Sequence, residues 1–201
     1  MRGEFAYIAT QDTTQFKHYD VSDPTNPNSV SALTMAYELE KIKVVGNYAY
    51  VISKTIGDDL EIIDISNPAA PVIVGSAEGN SSEVRSLDVQ GDFAYVGTVA
   101  DAAEEFMVFD ISDPTNPLKV GGYDMPGGAR SISVVGDRAH VGLQTTGDDF
   151  EVLDVSDPSN IISLGGIELN SSLIRGIDVD GTHAHIVGSD DATNYMIIDI
   201  S

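Results

Sequence analysis

An apolar strand followed by Asp-(Ile/Val)-Ser-(Asp/Asn)-Pro recurs along the chain, and this repeat limits the folds open to it. The copies are FKHYDVSDP (16–24), LEIIDISNP (60–68), FMVFDISDP (106–114), FEVLDVSDP (150–158) and YMIIDIS (195–201). A second motif, exemplified by GDFAYV (91–96), begins in phase at glycines 3, 46, 91, 136 and 181, which are 43, 45, 45 and 45 residues apart. A period near 45 residues is typical of propeller blades and of helical solenoids.

The pattern inside one period decides between these two architectures. One period contains four short runs, at 130–135, 139–143, 150–155 and 161–169, that are rich in Val, Ile and aromatic residues and bounded by turn residues. No segment has the apolar spacing of a long helix. The sequence therefore predicts an all-β propeller of four-stranded antiparallel blades, with about five repeats of roughly 45 residues in a single domain over residues 1–201.

The two ends of the chain are out of phase with this repeat. If the strands of a blade are named a to d from the axis outward, the first copy begins at a b strand and the last ends at a c strand. The terminal blades are thus predicted to be incomplete, and together they exceed the one blade that ordinary closure requires. Three hypotheses follow: a segment of a longer propeller, a five-sheet ring with an imperfect seam, or self-association through the incomplete terminal blades.

Charge limits the partners of the chain. It has 10 Lys and Arg against 32 Asp and Glu, a net charge of -22. This field repels nucleic-acid phosphates and anionic lipid headgroups, so we expect neither a nucleic acid nor a membrane surface as partner. No apolar run approaches the roughly 18 residues of a membrane-spanning helix, which argues against direct membrane insertion. The absence of cysteine excludes disulfides and thiolate chemistry.

The repeat resembles that of a known family. The segments that carry the resemblance are AYV (49–51), IIDISNP (62–68) and ARSISV (129–134). Together they are similar to the LVIVD-repeat propellers of bacterial and archaeal surface or secreted proteins, over essentially the whole chain. The resemblance implies a propeller that is commonly exported, so we expect an extracellular, cell-surface or periplasmic location. It implies no catalytic residue.

Arg85, Arg130 and Arg175 each lie six residues before a repeat glycine, at the entry to the predicted innermost strand. A propeller would bring these three guanidinium groups to one mouth of its axial channel. Because guanidinium matches carboxylate and phosphate groups, the cluster is a candidate ligand-binding site for an anion. The alternative is structural, with each arginine bound to carboxylates or carbonyl oxygens of a neighbouring blade. Glu40 stands at the same position in an earlier repeat.

Acidic pairs in the predicted b-to-c loops lie on the same face as these arginines. Asp58 with Asp59, and Asp148 with Asp149, supply the hard oxygen ligands that calcium takes. The spacing of a calcium-binding loop is absent, and Gly-Asp-Asp sequences also form solvated turns. Calcium is therefore the one cofactor that the sequence suggests, with solvated turns as the alternative.

Five aspartates end the predicted c strands, and their regularity favours a structural role. A carboxylate at this position can accept the backbone N–H groups of the Ser-Asp-Pro segment that follows. The predicted turn caps are Asp20, Asp64, Asp110, Asp154 and Asp199.

No catalytic arrangement stands out from the repeat. His183 and His185 share a strand but have no evident third zinc ligand, and no serine lies in Gly-x-Ser-x-Gly. We therefore expect a non-enzymatic binding or scaffold module for a protein or glycan partner. The alternative is a carbohydrate-active lyase or hydrolase whose arginine cluster holds an acidic substrate.

Overall fold

The computed structural model describes residues 4–11, 15–53, 58–80, 82–100, 104–145, 149–169, 173–189 and 194–201. Within these residues the chain forms five antiparallel sheets, numbered here in chain order. Sheet 1 contains β1 (Phe5–Ala9), β2 (Phe16–Asp20) and β3 (Asn28–Leu33). Sheet 2 contains β4 (Leu39–Val45), β5 (Tyr48–Ser53), β6 (Leu60–Asp64) and β7 (Val72–Ala77). Sheet 3 contains β8 (Val84–Gln90), β9 (Phe93–Thr98), β10 (Phe106–Asp110) and β11 (Leu118–Tyr123). Sheet 4 contains β12 (Gly128–Val135), β13 (Arg138–Gln144), β14 (Phe150–Asp154) and β15 (Ile162–Ile167). Sheet 5 contains β16 (Ile174–Asp180), β17 (His183–Gly188) and β18 (Tyr195–Asp199).

Each sheet is a meander in which neighbouring strands are consecutive in the chain. The predicted all-β fold of four-stranded antiparallel sheets is confirmed for sheets 2 to 4, and the two terminal sheets have three strands each. Successive sheets pack through their inner strands β4, β8, β12 and β16. Among the described strands, none of sheet 5 packs in this way against sheet 1, so this propeller-like series of sheets is not closed.

The turns between the a and b strands form where the repeat glycines predicted them. Gly46, Gly91, Gly136 and Gly181 have φ angles of 58°, 59°, 60° and 61°. This left-handed backbone is readily accessible to glycine because it has no Cβ. In each of sheets 2 to 5, the glycine therefore sets the hairpin that joins the inner strand to the second strand of the same sheet.

The apolar core lies in four layers, one between each pair of successive sheets. In the layer between sheets 2 and 3, Leu60 and Ile62 pack with Ala94, Val96 and other residues of sheet 3. The first and third residues of each c strand thus lie on the side of the next sheet, which we call the forward face. The Ala and aliphatic residue of each b strand lie on the opposite side, the backward face.

The Asp-Pro turns also join neighbouring sheets. The hydroxyl of Ser31 in β3 donates a hydrogen bond of 2.7 Å to the Pro68 carbonyl of sheet 2. At the equivalent position of β11, a Cβ atom on Gly121 would overlap the Pro158 carbonyl of sheet 4. Each of these outer strands therefore holds the turn of the following sheet, and close backbone approach explains the glycine.

No helix among the described residues has the length and apolar character needed to cross a membrane.

Candidate functional site

Arg85, Arg130 and Arg175 line one cavity of about 120 Å³. The cavity lies where the inner strands of sheets 2 to 5 begin, and we call it the arginine mouth. Its lining residues are Glu40, Lys41, Arg85, Arg130, Leu173, Ile174 and Arg175. The residues at this repeat position therefore lie close together, as the sequence indicated, and Glu40 stands in the place of a fourth arginine.

A β-bulge at the start of each inner strand presents these side chains. In sheet 3, Val84 pairs with Thr98 and Ser86 pairs with Gly97, which leaves Arg85 between them without a partner residue in the register. The same irregularity leaves out Glu40, Arg130 and Arg175 in their strands. Bulges often redirect side chains next to functional sites. Four equivalent bulges thus direct one residue from each of sheets 2 to 5 toward the shared cavity.

Arg85 is paired with carboxylates. Its Nη2 atom lies 2.5 Å from Glu83 Oε1, and its Nη1 atom lies 3.6 Å from Glu40 Oε1. Its Nε atom is buried and has no hydrogen-bond partner in the described structure. Glu40 also accepts a hydrogen bond of 3.2 Å from the Gln11 amide. The structural alternative describes Arg85 in large part, because its contact with Glu40 joins sheet 3 to a carboxylate of sheet 2.

Arg130 and Arg175 have different surroundings. Arg130 donates through Nε at 2.8 Å, and also through Nη2, to the neutral amide oxygen of Gln144. Burial lowers the pKa of Arg130, as do the positive charges of Arg85 and Arg175, while Glu83 and Glu40 act in the opposite sense. Arg175 is exposed and makes no hydrogen bond or ion pair within the described part of the chain. Positive charge at the mouth is therefore only partly compensated.

The acidic residues before the c strands anchor the following link rather than forming a cluster. Asp59 is buried and accepts backbone N–H groups from Gly79 at 2.7 Å and Asn80 at 3.1 Å. Glu105, Asp149 and, in sheet 1, Gln15 each accept the N–H of the residue 20 positions later in the same way. A buried carboxylate that accepts N–H groups locks a link between strands d and a in place.

These contacts bear on the predicted calcium ligands. Asp59 and Asp149 each use a carboxylate oxygen to hold backbone, and Asp58, next to Asp59 in the sequence, is half-buried. Asp148 lies outside the described residues. Within the described ranges, no group of three or more His, Asp or Glu side chains is placed to hold a metal ion. Calcium binding remains a prediction.

The five aspartates at the ends of the c strands cap the turns that follow. Each accepts a backbone N–H from the serine two residues later, at 2.8 to 3.0 Å, as the turn-cap interpretation requires. The pairs are Asp20 with Ser22, Asp64 with Ser66, Asp110 with Ser112, Asp154 with Ser156, and Asp199 with Ser201. Hydrogen bonds from these serines lower the pKa of all five carboxyl groups.

The histidines lie apart from the arginine mouth. His18 is buried, with Nδ1 2.9 Å from the Pro68 carbonyl and its ring stacked on Tyr7 at 4.5 Å. Burial lowers the pKa of His140, whose Nδ1 lies 3.3 Å from the Ser133 carbonyl. His185 pairs with the Tyr195 hydroxyl at 2.7 Å. These contacts are structural ones within and between sheets.

Sequence reasoning missed the partners that distinguish the three arginines. Glu83 precedes Arg85 by two residues, and Gln144 ends β13, so neither stands out from the repeat. Lys41, which adds a fourth cation to the cavity lining, also lies outside the repeated arginine position. Comparison of the three arginine copies two residues before the arginine, where Glu83 stands against Gly128 and Leu173, would have identified Arg85 as the paired member.

Solved structures share this fold at low sequence identity. The chain aligns to a protein from Lactobacillus plantarum with a TM-score of 0.78 and 12% identity, covering 99% of this chain and 68% of that one. For the computationally designed Ika8 protein the TM-score is 0.73 and the identity 15%, covering 98% and 56%. For the computationally designed Ika4 protein the values are 0.63 and 12%, covering 83% and 94%. The chain thus spans little more than half the length of Ika8, and these likenesses show the fold alone.

A comparison with curated proteins gave no match. The family model described as LVIVD repeat matches four consecutive segments, residues 1–34, 39–78, 81–125 and 126–167. These segments cover most of the chain and correspond closely to sheets 1 to 4. The repeat seen in the sequence, the sheets that it forms and these four matches agree that the chain belongs to the LVIVD-repeat family.

Proposed function

We propose that this protein is a non-enzymatic binding module that takes an acidic group of a protein or glycan partner into the arginine mouth. We further propose that the five sheets are consecutive blades of a propeller that works outside the cell or in the periplasm, as the exported character of similar repeat proteins suggests. Its function is then to present a rigid surface, and no bond is made or broken.

The unequal pairing of the arginines is the observation that carries this proposal. Arg85 forms ion pairs with two carboxylates, whereas within the described residues Arg130 donates hydrogen bonds only to the neutral amide of Gln144. Arg175 has no such contact within the described residues. A bound carboxylate would accept hydrogen bonds from the guanidinium groups and offset their mutual repulsion. In a chain of net charge -22, this cluster of cations is a distinct feature of the surface.

The size and lining of the cavity favour binding over catalysis. Ligand pockets for whole small molecules usually measure about 300 to 1,000 Å³, whereas this cavity measures about 120 Å³. It fits a carboxylate or a similar small acidic group at the tip of a larger partner. The described lining contains no His or Tyr. Glu40 and Glu83, the nearby carboxylates, both face Arg85. The lyase or hydrolase alternative therefore lacks a distinct proton-transfer group at this place.

The proposal is tested by affinity electrophoresis and calorimetry with acidic polysaccharides, namely polygalacturonate and alginate, and with neutral dextran as the comparison. The unmodified chain should bind an acidic polymer and not dextran. Arg130→Gln with Arg175→Gln should weaken that binding by roughly tenfold or more, because two charge-assisted contacts are removed.

Arg138→Gln is the control for Arg130→Gln alone, because each removes one positive charge. Arg138 begins β13 at the other end of its sheet from the mouth, so this variant changes the net charge without touching the cavity. Equal loss of binding in Arg138→Gln would show a general charge effect and contradict a site at the mouth. Retained binding in the Arg130/Arg175 variant would do the same.

A further inference from the structure

The forward face of sheet 5 is exposed, whereas the equivalent face of each other sheet packs against the sheet that follows it. The first residue of the c strand is Leu60 in sheet 2, Phe106 in sheet 3 and Phe150 in sheet 4, and none of these is more than 2% exposed. The equivalent Tyr195 of sheet 5 is 59% exposed. Two positions further on, Ile197 is 55% exposed. Apolar side chains thus occupy the positions at which each preceding sheet contacts its successor.

The backward face of sheet 1 shows the complementary pattern. The aliphatic residue of the b strand is fully buried in sheets 2 to 5, where it is Val51, Val96, Val141 and Ile186. The equivalent Ile8 of sheet 1 is 44% exposed. Strand pairing confirms the equivalence, because Ile8 lies opposite Lys17 as Val96 lies opposite Met107. Sheet 1 therefore carries the other half of the same repeated contact.

These two faces do not cover each other within one chain. Neighbouring sheets pack through several strands, and no comparable packing joins sheet 5 to sheet 1 in the described part of the structure. The five sheets thus leave both halves of one interface exposed on the same molecule.

We infer that the protein associates head to tail with a second copy of itself, the backward face of sheet 1 in one copy packing on the forward face of sheet 5 in the other. The partner is a second copy because the chain itself carries both complementary halves, in the register that its own four layers use. The contact is heterologous, since different surfaces meet, so each dimer retains one free face of each kind. Further copies can then add until a ring closes.

Charge sets the conditions under which this association is measurable. With a net charge of -22 on each copy, long-range repulsion opposes the contact at low ionic strength. At about 1 M NaCl the screening length falls to about 3 Å, whereas burial of apolar surface is retained. Added salt should therefore strengthen self-association.

Sedimentation velocity and light scattering over a concentration series, at low salt and at about 1 M NaCl, test the inference. The unmodified chain should shift from monomer to dimer and larger species as concentration and salt rise. Ile8→Asp and Ile197→Asp should each weaken association by roughly a hundredfold, because either places an unpaired carboxylate in the apolar contact.

The decisive measurement mixes the two variants. An equimolar mixture of Ile8→Asp and Ile197→Asp retains one intact face of each kind, so it should form a dimer and nothing larger. Leu118→Asp, at a 54% exposed position of sheet 3, is the control and should associate like the unmodified chain. Tyr195→Lys replaces Ile197→Asp if circular dichroism shows that the latter is misfolded. A chain that stays monomeric under all conditions, or a mixture that gives no dimer, would overturn the inference.

Discussion

Sheets 3 and 5 place aromatic residues at the same repeat position in opposite environments. Phe106 in sheet 3 is buried between two sheets, and Tyr195 in sheet 5 is exposed. Local sequence is similar at both places, since an apolar c strand ends in Asp-Ile-Ser in each. The repeat thus determines which side of a strand is apolar, while the neighbouring sheet determines how much stability that side contributes.

The largest expected difference between inner and terminal sheets is at this aromatic position. Phe106→Ala should lower the free energy of unfolding by about 3 to 5 kcal/mol, because a fully buried ring is removed. Tyr195→Ala should change it by about 0.5 kcal/mol or less when the chain is dilute and monomeric. Urea denaturation followed by circular dichroism measures both. Equal losses would show that sheet 5 is covered within the monomer.

The anchors before the c strands should give the next largest effect. Asp59→Ala removes a buried acceptor from two backbone N–H groups and should cost about 3 kcal/mol. Gln15→Ala in terminal sheet 1 removes one neutral hydrogen bond and should cost about 1 kcal/mol. The same denaturation experiment applies. A larger loss for Gln15→Ala would contradict the ranking of charged above neutral anchors.

Glu61 offers a stabilising substitution in an inner sheet. Its Oε2 atom is buried and has no hydrogen-bond partner among the described residues, and burial, followed by the charge of Asp58, raises the pKa of Glu61. The folded state thus favours the protonated form. Its contribution is fully present below the unfolded pKa, near 4.3, and is lost as pH rises through the raised folded pKa. Glu61→Gln should therefore increase stability at neutral pH by about 1 kcal/mol.

This gain should shrink when unfolding is measured below about pH 4, where the glutamate is protonated in both states. Glu151→Gln, at the equivalent position of sheet 4, is the matched variant. A gain for Glu61→Gln that persists unchanged in acid would rule out ionisation as its cause.

The smallest effect is expected at the exposed turn caps, and it should be alike in inner and terminal sheets. Hydrogen bonds from Ser112 and Ser201 lower the pKa of Asp110 and Asp199. Their stabilising contribution is present above the unfolded pKa and is lost as pH falls through the lowered folded pKa. Asp110→Ala and Asp199→Ala should both destabilise slightly at neutral pH, with less effect in acid.

Asp110→Asn is the control for this comparison. Asn67 accepts the Ala69 N–H at 3.2 Å through its side-chain oxygen, so asparagine can cap a turn of this kind. Asp110→Asn should retain most of the stability at neutral pH. The contribution of this position to stability should then no longer fall as the pH is lowered. Melting curves at several pH values distinguish the two substitutions.

Much of the fold could be predicted because each repeat has the same pattern of strand and turn residues. The predicted runs 130–135, 139–143 and 150–155 match β12, β13 and β14 to within two residues at each end. The glycines that set the hairpins were also evident, because a left-handed turn restricts the residue type. Periodicity and turn chemistry are local, so a single sequence reveals them.

The arginine mouth was predictable in position but not in bonding. Three arginines at one repeat position indicated convergence, yet the bulge that directs Arg130 and its contact with Gln144 depend on strand register. Burial of Asp59 was missed for a related reason. Its partners Gly79 and Asn80 lie 20 and 21 residues away, in a link that adjacent acidic residues do not predict.

The constant separation of 20 residues between each anchor and the N–H group that it holds has a consequence for how such chains change in length. Gln15 to Met35, Asp59 to Gly79, Glu105 to Met125 and Asp149 to Leu169 all enclose the same number of residues. Insertion within this span would break the anchor, whereas insertion ahead of it would leave the anchor intact. Each repeat therefore consists of a segment of fixed length preceded by a loop whose length can vary. Whole repeats can then be duplicated or exchanged without changing how neighbouring sheets pack.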